Sequence, residues 1–543
     1  MIRIRKLILL LLLCAAAASA RQQPAYDLLI KGGRVLDGAG NPWVYANIAV
    51  SGDRIARIGR FEAEARRVID AAGLYVCPGF IDIMDQSGGA LRADGTAQSK
   101  VRQGVTTGIG GEGGTPGPPD ALDKYFETIL RQGISMNFGT FVSAAQARVA
   151  VLGAANRDPN PEELERMKGV IEAGMRRGAL GMTTALIYPP GSYAKTAELI
   201  ELAKVAASYG GIYATHVRDE GAGVLDGIRE AIEIGRAAGL PVEIFHLKVA
   251  YKRSWKKTMP RIHELVMAAR AQGIEVNADQ YPYTAGGTGL EACIPSWAAE
   301  GGPAERNKRL KDPAIRERIK REMKKGSPGW WNIVEASGGW KNIVIAAVPE
   351  GLDKQFEGRS IADIARRLKK SPEDTVIDLV ASTTARISAL YFMMSEDDVR
   401  TAMQFPWVSV GSDAAAGSIE TARGKGHPRA YGTFPRIIAR YVRDNKVLTL
   451  ENAVRRMTSL PAAKLHIEGR GLLKEGCYAD IVLFDLNTIE DTATYENPHR
   501  YPRGIPYVIV NGQLVIDQGE HTGARPGRII YGPRFQAVQA AAR

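Results

Sequence analysis

At 543 residues, 45% of them hydrophobic and 24% charged, the chain is too long for one ordinary domain and too apolar for a disordered one. The formal net charge of +12 is spread along the chain rather than clustered. That argues against a nucleic-acid surface and fits a solvated basic exterior on a protein with a small-molecule substrate. Cys14, Cys77, Cys293 and Cys477 are too few and too scattered for a disulfide framework or a CxxC metal site; the last three are expected to be free, buried thiols.

The N-terminus has the form of an export signal. Arg3, Arg5 and Lys6 precede an apolar run over 7–18, and Ala18-Ser19-Ala20 offers a small-residue cleavage site. The run is short for a spanning helix, so cleavage after Ala20 and release to the periplasm or medium are expected, with no membrane span left. Lipoprotein processing at Cys14 is disfavoured, because Leu13 stands where a small residue is wanted.

From residue 21 the chain opens with short alternating strands at 26–30, 47–50 and 54–58. The end of the chain has the same texture at 479–484, 507–510 and 513–516, the last two joined by an Asn511-Gly512 turn. One small β-sandwich built from 21–76 and 467–543 accounts for both ends.

Between them, over 77–466, apolar runs alternate with amphipathic helical stretches. Strands are predicted at 75–84, 106–110, 137–142, 180–185, 212–217, 242–249, 274–281 and 407–412. Helices are predicted at 161–177, 196–208, 224–238 and 254–272 among others. Eight strands with intervening helices predict a (β/α)8 barrel. The stretch 288–346, basic and carrying Trp297, Trp330, Trp331 and Trp340, is too long for a plain connection and reads as an insertion.

Barrel enzymes place their chemistry at the C-terminal ends of the strands. There this chain puts Glu112, His216, His246 and Asp413, from distant parts of the sequence. Imidazole and carboxylate are the ligands of a hydrolytic zinc-like ion with an open position for water. Glu112, His216 and His246 are the candidate ligands, and Asp413 the candidate general base. Taken singly, each has a plainer reading: a structural histidine at a strand end, a turn carboxylate, or a helix cap. Their convergence on one face favours a site.

These segments carry a family resemblance. Pro78-Gly79-Phe80-Ile81-Asp82, Gly104-Val105-Thr106-Thr107, Gly111-Glu112-Gly113, and the run from Tyr188 to Ala194 are similar, in order, to blocks of the N-acyl-D-amino-acid deacylases (D-aminoacylases) of the amidohydrolase superfamily. So are Thr215-His216-Val217-Arg218, His246-Leu247-Lys248, the run from Tyr281 to Ala285, Gly411-Ser412-Asp413, the run from His427 to Arg436, and 469–512. The resemblance implies a barrel with a small β-sandwich, zinc, and hydrolysis of an N-acyl bond on a D-amino acid. It places Lys248, Tyr188 and Tyr193 near the substrate, adds Tyr283 in its Tyr-Pro-Tyr block, and gives Arg429 the substrate's carboxylate. The chain departs from the family twice. Met84-Asp85-Gln86 stands where the family has His-x-His, and Glu112 stands for its usual cysteine ligand. One zinc per chain is therefore expected, with Gln86 a candidate contact to substrate or water. Two other readings compete: a dipeptidase, lactonase or cyclic amidase on the same site, or an exported binding protein that has lost catalysis.

Overall fold

The computed structural model describes residues 25–535, so the expected leader at 1–20 lies outside the described residues. Among the described residues no helix is long and apolar enough to cross a membrane.

Both ends of the chain join in one nine-stranded sheet. Strand Tyr26–Val35 pairs antiparallel with Val44–Ser51, and parallel with Ala65–Asp70 and Tyr75–Pro78. Tyr75–Pro78 in turn pairs antiparallel with Ile481–Phe484, which leads on to Tyr507–Val510 and Gln513–Asp517. Alternation of apolar side chains buries Ile30, Ile48, Val50, Val76, Ile481, Leu483 and Ile509 in one small core.

The middle of the chain is the barrel. Its strands are Phe80–Asp82, Val105–Gly110, Asn137–Thr140 continued as Val142–Ser143, Gly181–Ala185, Ile212–His216, Val242–Ile244, Val276–Gln280 and Val408–Val410. Two parallel arcs contain them. The arcs meet where Phe141 N donates to Gly110 O and where Asp413 N donates to Met84 O (2.8 Å). Helices follow the strands. Helix Pro161–Arg176 shows how local sequence starts one: Asn160 and Glu163 form a capping box, and Pro161 occupies the first turn.

Three expectations need correction. The single strand expected over 75–84 is two strands, the first in the terminal sheet and the second in the barrel, with Gly79 between them. A Cβ at Gly79 would lie 2.1 Å from Thr106 Oγ1, so only glycine lets the chain cross there. The strand expected over 242–249 ends at Ile244, because His246 adopts a positive φ of 39°. The insertion expected over 288–346 is larger. A three-stranded antiparallel sheet of Ala285–Gly289, Ile343–Ala347 and Ser388–Phe392 frames it. It has its own core, including Leu290, Ile319, Ile345, Ile361, Val376 and Tyr391. Cys77 and Cys293 are buried and free; Cys477 is free and only partly buried.

Lys100 closes the barrel between its first and last strands. Its fully buried ammonium contacts Asp82 Oδ2 at 2.6 Å and Asp85 Oδ1 at 2.8 Å, and donates to Ser412 Oγ and Ala414 O. Breaking such a cluster strands buried carboxylates without a cation, at a cost of about 3–5 kcal/mol. Lys100→Met is expected to lower the unfolding free energy by that amount, read as a fall in the urea midpoint; an unchanged midpoint would show that the cluster is not a structural lock.

Candidate active site

Most of the expected residues come together at the C-terminal end of the barrel, in a cleft of about 810 Å³. That volume suits a small organic ligand. The barrel contributes Gln86, Glu112, His216, His246, Lys248, Tyr281 and Asp413, while the insertion supplies Thr288, Trp331, Arg386 and Leu390 to the opposite wall.

Ligand atoms of Glu112, His216 and His246 lie within 4.8 Å of one another. Glu112 Oε1 is 3.0 Å from His216 Nδ1 and 3.2 Å from His246 Nε2. Burial alone would raise the Glu112 carboxyl, but hydrogen bonds from the two imidazoles hold it well below the usual carboxylate range. Burial opposes charge on His216 as well, yet Glu220 and Glu112 push it up to about 9. The cluster thus draws a positive charge into its centre. Two neutral nitrogens and one carboxylate oxygen at this spacing form a donor set suited to zinc, so the residues fit the metal that the sequence implies.

The backbone supports this geometry. His246 N donates to Asp279 Oδ1 at 2.9 Å, which fixes the left-handed turn of His246. Asp279 is fully buried beside Glu243, and burial keeps its carboxyl well above the ordinary range. Asp413, with φ of 48°, is the second catalytic candidate in this uncommon conformation. Its Oδ2 is 2.8 Å from Arg429 Nη1, and its Oδ1 accepts from Gln86 Nε2 at 3.4 Å. Gln86 Nε2 also donates to Glu112 Oε2 at 2.7 Å, so one amide spans ligand and base.

Not every expected residue reaches the cleft. Tyr188 does: its ring meets His216 edge-on at 5.5 Å and its hydroxyl shares a 2.7 Å hydrogen bond with Thr288 Oγ1. Lys248 lines the cleft, but its Nζ is held by Glu220 and lies 2.7 Å from His246 Nδ1. Arg429 lines it too, paired with Asp413 and stacked over Tyr281 at 4.6 Å. Tyr193 is outside the lining; its hydroxyl donates to Ser296 O and ties its loop to the insertion. Tyr283 is also outside, buried beneath Arg436 and packed edge-on against His427. His427, within the sequence block that carries Arg429, accepts from Arg429 N through Nδ1 and contacts Ala285 O through Nε2. Burial and Arg429 keep it well below its ordinary pKa, so it is a neutral strut for the arginine's backbone.

Sequence reasoning missed Glu220, Tyr281 as a lining residue, and Arg386. Glu220 stands four residues after His216, on the loop that follows its strand, and that spacing was the available signal.

Comparison with known proteins bears on this geometry. The Amidohydrolase family model matches residues 361–516. The D-aminoacylase of Alcaligenes xylosoxydans xylosoxydans is 33% identical over 93% of this chain and 97% of its own length. The chain belongs to the D-aminoacylase family of amidohydrolases. This D-aminoacylase relative is therefore an amidohydrolase, with the barrel and β-sandwich of its family. A solved D-aminoacylase with a binuclear metal centre, described by one-metal activation and second-metal attenuation, matches 94% of this chain and all of its own (31% identity, TM-score 0.78). The N-acyl-D-glutamate deacylase of Bordetella bronchiseptica, solved with zinc and a phosphonate that mimics the tetrahedral intermediate, matches 93% of this chain and all of its own (31% identity, TM-score 0.77).

Proposed function

We propose that this D-aminoacylase relative hydrolyses the amide bond of N-acyl-D-amino acids, with one zinc held by Glu112, His216 and His246. The observation that carries the reading is the placement of that triad and Asp413 on one cleft, joined by the Gln86 amide. Zinc held by such a set lowers the pKa of a water and polarises a carbonyl. Asp413 takes the proton of the attacking water on its carboxylate and returns it to the leaving nitrogen, as general base and then general acid. Arg429 pairs with Asp413 and is the candidate receptor for the substrate's carboxylate. Tyr188 packs its ring edge-on against His216 and so helps to hold that imidazole in place. In this reading the protein is exported after loss of residues 1–20.

The test is metal analysis together with a panel of N-acyl amino acids in matched D and L forms. About one zinc per chain and turnover confined to D-forms are expected. Equal turnover of D and L forms, turnover only of dipeptides or lactones, or full activity without metal would sink the reading.

Gln86 bears on metal number. Its amide nitrogen donates to Glu112 Oε2 and to Asp413 Oδ1, so both oxygens are already engaged by an amide. An amide is a poor zinc ligand compared with imidazole. Activity is therefore expected to stay within about twofold of its maximum in zinc well beyond one equivalent, since only one ligand set is complete. Met84→His combined with Gln86→His is expected to restore a second site and make excess zinc inhibitory. Inhibition of the unaltered enzyme, with two zincs bound, would refute the one-metal assignment.

A further inference from the structure

The two ligand histidines turn different nitrogens toward Glu112: His216 its Nδ1 and His246 its Nε2. The opposite nitrogens face a single residue. Glu220 Oε2 is 3.3 Å from His216 Nε2, and Glu220 Oε1 is 3.1 Å from His246 Nδ1. Glu220 is buried, with only 5% of its side chain exposed. His216 Nε2 is also buried, and it has no hydrogen-bond partner in good geometry. Lys248 Nζ packs against Glu220 Oε1 and supplies the nearby positive charge.

An imidazole that binds a cation through one nitrogen carries its proton on the other, and a buried N–H needs an acceptor. His216 would need its proton on Nε2 and His246 on Nδ1, which are opposite tautomers. We infer that Glu220 is the positioning residue that sets both, one carboxylate oxygen for each ring. This rests on the metal reading of Glu112, His216 and His246. It also changes the role of Lys248. His246 Nδ1 lies 2.7 Å from Lys248 Nζ, and a protonated Nδ1 cannot accept from an ammonium. With the cation in place, Lys248 is left to Glu220 as its counter-charge, so its first task is to hold that carboxylate and not to bind substrate.

Partners of metal-binding histidines affect metal affinity by about 10–100-fold when removed. Glu220→Gln keeps the shape but offers one acceptor oxygen and one amino group, so it can serve only one ring. Zinc affinity, measured by competition with a chromogenic chelator, is expected to fall 10–100-fold in Glu220→Gln. Glu220→Asp, which keeps two acceptor oxygens, should recover part of the loss. In ¹⁵N-histidine spectra of the zinc-loaded enzyme, two of the seven histidines are expected to be opposite tautomers, and Glu220→Gln should disturb both. Lys248→Met should weaken zinc binding as well. Thermal melting of the metal-free variants identifies any that fail to fold, and Glu220→Asp then carries the test. Wild-type zinc affinity in folded Glu220→Gln and Glu220→Asp, or identical tautomers at both ligands, would overturn the inference. So would a Lys248→Met variant that raises KM with zinc affinity unchanged. Unaltered protein whose His216 and His246 signals do not respond to zinc would overturn the metal reading itself, and this inference with it.

Discussion

Asp413→Asn is expected to lower kcat by roughly 10²–10⁴-fold, the range for loss of a general acid–base group, while zinc content stays at one per chain. The substitution is suited to its purpose. Asparagine tolerates the left-handed backbone that Asp413 adopts at φ of 48°, so the turn into the cleft should survive. Its side-chain oxygen can still accept from Gln86 Nε2. What disappears is the capacity to hold a proton between water and leaving nitrogen. The charge opposite Arg429 disappears too, leaving a buried guanidinium that was paired at 2.8 Å without a carboxylate. Unpairing a buried charge costs stability, so a lower melting temperature should accompany the kinetic loss. The two effects separate on measurement: kcat at saturating substrate reports the proton transfer, and thermal melting reports the pair. Retention of kcat within about tenfold, with zinc still bound, would remove Asp413 from the role of base, because general catalysis contributes at least about 10².

The part of this molecule that was legible in the sequence is the part governed by period and position. Helices over Thr196–Ser208 and Val224–Ala238 match the amphipathic pattern to the residue. Barrel strands show as apolar runs because both faces are covered, and polar residues at their ends stand out against that background. Glu112, His216, His246 and Asp413 could therefore be picked out before any contact was known. What escaped is set by contacts between distant segments. Gly79 separates two strands that read as one, because the crossing is dictated by Thr106, 27 positions along. The insertion reads short because helices Ile361–Leu368 and Pro372–Ala381 have the same amphipathic form as barrel helices. Only their packing into a separate core, with Ile345 and Tyr391, assigns them elsewhere. Tyr193 and Tyr283 sit in family blocks and yet point into loop and core contacts, since a motif fixes neighbourhood and not direction. Gln86 is the opposite case. A substitution that looks like loss in the sequence becomes, in three dimensions, the hydrogen-bonded link between Glu112 and Asp413.

Removing either imidazole of the ligand set should have the largest effect on the protein as a whole. His216→Ala or His246→Ala leaves two ligands, too few for a catalytic zinc site, which normally has three from the protein. Zinc content is expected to fall below about 0.1 per chain after dialysis, as befits a site short of the usual three ligands. Activity should fall by roughly 10³–10⁵-fold, the equivalent of several kcal/mol of lost charge stabilisation at the carbonyl. Chelation of the unaltered enzyme should reproduce the kinetic loss but not unfold the protein, because the metal-free cluster has its own cation. His216 faces Glu112 and Glu220, which hold it up to about 9 from an ordinary 6.5. A raised folded-state pKa stabilises fully below the unfolded value, and the benefit fades as pH rises through the folded one. Metal-free protein should therefore be most stabilised by this group below about pH 6.5 and lose that contribution by about pH 9, as the two pKa values set the window. Zinc-loaded protein should show no such loss, since His216 would then serve as a neutral ligand and no longer take up a proton over this range. Melting temperatures of the two forms across pH 6–10 test the point, and His216→Ala serves as the control. If the metal-free wild type and His216→Ala melt with the same pH profile, the imidazolium does not stand in for the metal. Zinc retained by either alanine variant at one per chain would reject the ligand set itself.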